Sequence, residues 1–182
     1  MSVLSKPMRQ ARGFTLIELL IVVAIIGIIA AIAVPGLLKA RLNAQEGAAA
    51  AALRAISSSE ANYAATCGVG GYATDLADLV KPPPTTNFGF ISPDLSSNGV
   101  IKSGYIFLVE KNNRPDVADV TLPTCNGAVS NRATGFFASA VPVTFGKTGT
   151  RYFGTDTPGT IFVDRVNPIP NPIPLGLSTL QQ

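Results

Sequence analysis

A long N-terminal helix followed by a C-terminal antiparallel sheet, an α+β architecture, is the fold that the sequence predicts, and three observations predict it. An apolar run, FTLIELLIVVAIIGIIAAIAVPGLL, occupies residues 14–38. A proline-free, Ala-rich stretch continues it to about Thr66. Beyond Cys67, short β-branched and aromatic segments alternate with Gly, Asn and Pro, the pattern of strands joined by turns. With 182 residues, 47% of them hydrophobic, the chain suffices for one globular domain and one membrane-length segment.

Residues 1–13 read as a short basic leader. Lys6, Arg9 and Arg12 lie within it, and the rest of the chain carries 11 Lys and Arg against 11 Asp and Glu. The formal charge of +3 therefore belongs to the leader. Nucleic-acid binding, which needs clustered basic residues that persist in the mature protein, is not expected.

Residues 14–38 are long enough as a helix, at about 1.5 Å per residue, to cross the hydrocarbon core of a bilayer. Basic residues precede the run and none follows until Lys39, so the positive-inside rule keeps its start in the cytoplasm and exports the remainder. Ala31 and Ala33 form an A-x-A site that a signal peptidase could cut before Val34. Glu18 argues against an ordinary signal or anchor. A carboxylate inside the apolar segment costs about 2.5 to 3.5 kcal/mol on insertion scales and calls for a partner.

The string Gly13-Phe14-Thr15-Leu16-Ile17-Glu18, followed by an apolar stretch with Gly27 and Pro35, resembles the class III signal of type IV prepilins and of the pseudopilins of type II secretion. The resemblance covers about the first 40 residues and extends more weakly to about residue 66. It implies cleavage between Gly13 and Phe14 by a membrane prepilin peptidase, with N-methylation of Phe14. It also implies that Glu18 pairs with the N-terminal amine of a neighbouring subunit, neutralising a buried charge on assembly. The implied partners are identical or related pilin subunits, an inner-membrane platform and an assembly ATPase. The implied course is a single-pass inner-membrane precursor that passes into a pilus at the cell surface, with roles ranging over adhesion and twitching motility.

Residues 39–66 continue as the amphipathic half of the same helix. Leu42, Ala49, Leu53, Ile56 and Tyr63 share one side, suited to packing on a domain. Lys39, Arg41, Gln45, Glu46 and Arg54 are expected on the wetter side. Pro35 removes a helix hydrogen bond and Gly36 lowers helix propensity. Together with Gly27 they mark positions where the helix should kink or loosen, as the resembled family's helices do on assembly.

Cys67, Gly68, Gly70 and Gly71 end the helix and begin a head over residues 67–166. Leu76, Leu79 and Val80 predict a short helix within 72–80, stopped by Pro82, Pro83 and Pro84. Strands are expected at 104–110, 136–145, 151–155 and 160–166. The resemblance makes 67–103 a surface loop region. The tail, 167–182, is proline-punctuated and is expected to be extended or disordered.

Two cysteines in an exported chain suggest one disulfide, Cys67 to Cys125, the alternative being two buried free thiols. The chain has no His and no Trp. No nucleophile, base and orienter can be assembled without His, and the two cysteines cannot form a zinc site. Hence no enzyme, catalytic residue, metal or cofactor is expected. Asp75 and Asp78, Asp116 and Asp119, and Asp156 and Asp164 lack the ligand alternation of a calcium loop and are expected to be solvated. Phe136, Phe137, Tyr152 and Phe153 read as core or inter-subunit contacts, and Ser57, Ser58 and Ser59 as part of a wet helix face. Three function classes remain in order: pilus subunit, pseudopilin of a secretion or DNA-uptake machine, and membrane-anchored or secreted binding domain.

Overall fold

The computed structural model describes residues 13–180; the basic leader residues Lys6, Arg9 and Arg12 lie outside the described residues. The chain divides into two units, Met1–Ala40 and Arg41–Gln182. Helix α1 runs Leu16–Thr66 without a break in its assignment at Pro35 or Gly36.

In the second unit α1 is amphipathic as expected. Ala49, Leu53, Ile56 and Tyr63 are fully buried, and Leu42 is half-buried. The helix ends where Cys67 and Gly68 both donate their N–H to the Tyr63 carbonyl. Helix α2, Leu76–Val80, is capped by Asp75, whose side chain accepts the Ala77 N–H at 2.8 Å. It is shorter than the 72–80 window suggested. A 3-10 turn follows at Pro93–Leu95.

The main sheet contains β1 (Ile101–Lys102), β2 (Tyr105–Lys111), β5 (Phe136–Pro142), β6 (Tyr152–Asp156) and β7 (Ile161–Asp164), all neighbours antiparallel in that order. A second ladder pairs β3 (Asp119–Val120) with β4 (Arg132–Ala133). Four strands fall within a residue or two of their expected starts. Strands β1, β3 and β4 were not anticipated, because two residues carry no periodicity.

Alternation in β2 buries Tyr105, Phe107 and Val109. These side chains join Leu53, Ile56, Phe136, Ala138, Ala140 and Phe153 in the core between α1 and the sheet. Strand β5 is buried on both faces, so Phe137 points away from this core into a second cluster with Ile169 and Ile173 from the tail. The tail, expected to be extended or disordered, bends and turns back onto the sheet and is docked there. Leu180 donates its N–H to the Ile161 carbonyl, and Val163 donates to the Ser178 carbonyl. Gly154 makes room for this docking, since a Cβ there would lie 3.0 Å from Ile169.

Three acids contradict the expected solvation. Glu46, placed on the wet side of α1, is 3% exposed. Its Oε1 accepts from the Thr150 N–H (2.7 Å) and hydroxyl (2.8 Å), and Oε2 accepts from Arg151 Nε at 2.6 Å. Asp156 is buried against Arg114 Nη2 at 2.9 Å. Asp78 is buried and accepts the N–H groups of Val129 and Ser130, both at 3.3 Å. Each acid is buried beside sequence-distant donors, which engage both oxygens of Glu46 and Asp78 and one oxygen of Asp156. Asp116 and Asp119 are exposed as expected, Asp75 and Asp164 are half-exposed, and of the proposed wet residues Lys39, Arg41 and Arg54 remain exposed while Gln45 is half-buried. Ser58 is exposed, but Ser59 donates to the Phe90 carbonyl at 2.8 Å. The aromatics are core: Phe136, Phe137 and Phe153 are buried and Tyr152 is half-buried.

Cys67 and Cys125 form a disulfide, with Cα atoms 4.9 Å apart across a sequence separation of 58. Cys125 also donates its N–H to the Cys67 carbonyl. The bridge thus ties the end of α1 to the segment between β3 and β4. Closing a loop of this length stabilises the fold by about 4 kcal/mol in the chain-entropy model. The Cys67→Ser, Cys125→Ser double variant should lose a stability of that order in denaturant titration, and addition of reductant should leave it unchanged.

Candidate functional site

Gly13 and Phe14 precede α1, and Phe14 is 85% exposed. Thr15 immediately precedes the helix. Its N–H and its hydroxyl both donate to Glu18 Oε2, at 2.9 and 2.6 Å, and Glu18 returns its own N–H to Thr15 Oγ1 at 3.3 Å. This reciprocal arrangement is a capping box, which satisfies free donors in the first helical turn. The T-x-x-E spacing was readable in the sequence, but Thr15 was passed over there. A carboxylate in the first turn also faces the positive end of the helix dipole.

From Leu16 to Leu38 every side chain is exposed within the chain itself. Glu18 is the only charged residue of that stretch. Among the described residues α1 is the helix long and apolar enough to cross a membrane. A Cβ at Gly27 or Gly36 would meet nothing within 4 Å, so contacts inside the chain do not require either glycine. Pro35 lies within the same helical run.

The sequence-predicted residues thus fall into two groups. Gly13, Phe14, Glu18, Gly27, Pro35 and Gly36 lie in the first unit, and the structure adds Thr15 to Glu18. Cys67 and Cys125 lie in the second and are joined. Sequence reasoning missed Glu46 as a structural acid, and it missed Glu60, which is fully buried on α1. Among the described residues no cluster of three or more His, Cys, Asp or Glu is arranged to hold a metal.

Residues 8–34 match the family model described as the prokaryotic N-terminal methylation motif. The chain is 64% identical over 39 residues to the type IV wide pilus major component PilA4 of Thermus thermophilus, covering 21% of this chain and 30% of that protein. It is 48% identical over 52 residues to the type IV major pilin protein PilA of Myxococcus xanthus, covering 29% of this chain and 24% of that one. The matches therefore span less than a third of either relative. No solved structure matches the chain. Over its N-terminal segment, the chain carries the prokaryotic N-terminal methylation motif and is similar to the type IV pilins.

Proposed function

We propose that this chain is a structural subunit of a type IV pilus-like filament. It is inserted in the inner membrane as a precursor, cleaved after Gly13, methylated at Phe14 and polymerised through α1. The observation that carries this reading is one carboxylate, Glu18, in the first turn of an otherwise uncharged helical segment whose apolar side chains are exposed. Such a surface needs lipid first and other copies of the same helix afterwards. The N-terminal methylation motif supports the cleavage site and the modified residue.

In this account Thr15 satisfies one oxygen of Glu18 in the lone subunit, and a neighbour's Phe14 amine meets the carboxylate in the filament. Neutralising the pair on assembly sets the register between copies. Gly27 and Gly36 let helices approach closely, and Pro35 gives a point at which α1 can open locally. Processing and assembly require a prepilin peptidase, an inner-membrane platform and an assembly ATPase. The role is scaffolding rather than catalysis. Both named relatives are major pilus components, which favours a pilus subunit over a pseudopilin or an anchored binding domain.

Intact-mass and N-terminal analysis of sheared surface material tests the processing. A chain starting at methylated Phe14, abundant in that fraction, is the expected result. The same terminus confined to membranes would turn the assignment to a pseudopilin or minor subunit, and a chain starting at Val34 would sink it.

A further inference from the structure

Glu60 occupies the C-terminal half of α1 with its side chain completely buried. Its Oε2 accepts the Ala73 N–H at 2.8 Å, while Oε1 has no hydrogen-bond partner among the described residues. None of the ion pairs among the described residues includes it. Ala73 precedes α2 and sits beside Tyr72, which exchanges two backbone hydrogen bonds with Ala133 of β4. Glu60 therefore holds the strand-like start of the head through one donor only. An ionised carboxylate buried among apolar groups with a single donor is strongly disfavoured.

The titratable and charged groups around it come from three elements. From α2, the buried Asp78 opposes a second negative charge. From α1 itself, the buried Tyr63 phenol is pushed up to about 12, first by burial and then by Asp78. From β4, the buried Arg132 guanidinium is engaged at the Gly68 carbonyl, 2.6 Å away. It forms no ion pair with Glu60. The Cys67–Cys125 bridge ties the end of α1 to the segment that leads into β4.

We propose that Glu60 is held in the folded head as the neutral acid, and that its ionisation releases the 72–80 and 119–132 segments from α1 while the disulfide keeps them tethered. The arrangement is a pH-operated latch, closed when Glu60 carries its proton. Burial is the first cause that raises this carboxyl well above the ordinary value of 4.5, the Ala73 N–H works the other way, and Asp78 adds to the rise. Below 4.5 Glu60 is protonated whether the latch is open or closed, so pH has no effect through this group. Above it, the opened form loses a proton that the closed form keeps, so closure weakens as pH rises towards the folded value.

Hydrogen exchange of the full-length chain in detergent micelles reads this directly, with rates corrected for the intrinsic pH dependence of exchange. Between about pH 5 and the folded value of Glu60, opening of segments 72–80 and 119–132 should grow by about tenfold per pH unit, as release of one proton requires. Glu60→Gln keeps an acceptor for Ala73 and cannot ionise, so its opening should be flat over the same range. A flat wild type, or a Gln variant as steep as wild type, overturns the latch. If the variant does not fold, a carbon NMR titration of Glu60 in the wild-type chain decides: a midpoint well above 4.5 supports the latch and an ordinary midpoint overturns it.

Discussion

Replacing Glu18 with Ala is expected to leave the precursor inserted and cleaved between Gly13 and Phe14, yet remove the protein from the sheared filament fraction. The effect should be large because the charge sits in surroundings that punish an unpaired partner. In the proposed filament the neighbour's terminal amine would be surrounded by apolar helices. Removing its carboxylate leaves that amine buried and unpaired, a loss of about 3–5 kcal/mol for a buried ion pair broken on one side. Per contact this weakens subunit affinity by roughly two to three and a half orders of magnitude, and every subunit in a filament repeats the contact. Glu18→Gln should fail almost as completely, since it preserves shape and acceptor but not charge. Mass spectrometry of the membrane fraction checks processing, and immunoblotting of sheared material checks assembly. Normal filaments built from either variant would remove Glu18 from the assembly step.

The second large effect is expected at Glu46, and it concerns stability rather than assembly. Glu46 anchors the segment between β5 and β6 to α1 through three hydrogen bonds from Thr150 and Arg151. That segment is already crowded: Tyr105 donates its hydroxyl to the Arg151 carbonyl at 2.9 Å, and a Cβ at Gly149 would sit 1.9 Å from the same oxygen atom of Tyr105. The Arg151 guanidinium also lies over the Phe153 ring, 5.5 Å from its centroid. Glu46→Ala strands these donors. The loss should be about 3 kcal/mol, the low end for a broken buried pair because the Arg151 side chain keeps 28% exposure. Denaturant titration of the full chain in micelles measures it.

The pH behaviour of Glu46 runs opposite to that of Glu60. Burial pushes its carboxyl upward, but the bonds from Thr150 and Arg151 outweigh burial and hold it below the ordinary value of 4.5. Its contribution is therefore complete above the unfolded value and is lost as pH falls through the folded one. Wild type should show an acid limb of destabilisation that Glu46→Gln largely lacks. An unchanged acid limb in the variant would assign acid sensitivity to other carboxylates.

Some of this was legible in the sequence for identifiable reasons. Glu18 stood out because a lone charge in an apolar run violates the composition around it, and the Gly13-Phe14 junction follows from the same short string. The four longer strands announced themselves by β-branched and aromatic content. The burial of Glu46 was illegible because its donors lie 104 and 105 residues away. On the helix alone its spacing of four from Leu42 and three from Ala49 puts it on the apolar side, where a carboxylate has no visible partner. Asp156 has the same problem with Arg114, 42 residues distant. The tail's prolines predicted an extended path, but its docking depends on Gly154 and Phe137, whose roles appear only once the strand faces are assigned. Glu60 falls four residues after Ile56 and three before Tyr63, on the apolar stripe of α1, so its burial was legible from spacing; the donor that Ala73 supplies, 13 residues away, was not.

The most direct test of the central claim is a helical reconstruction of the sheared filaments at a resolution that shows side chains. The account predicts α1 segments packed along the filament axis, with Glu18 of one copy in hydrogen-bond reach of the Phe14 amine of another and with broken helical density near Ile32 to Leu37. Filaments in which the α1 segments stay apart, or in which Glu18 faces no terminal amine, would contradict it.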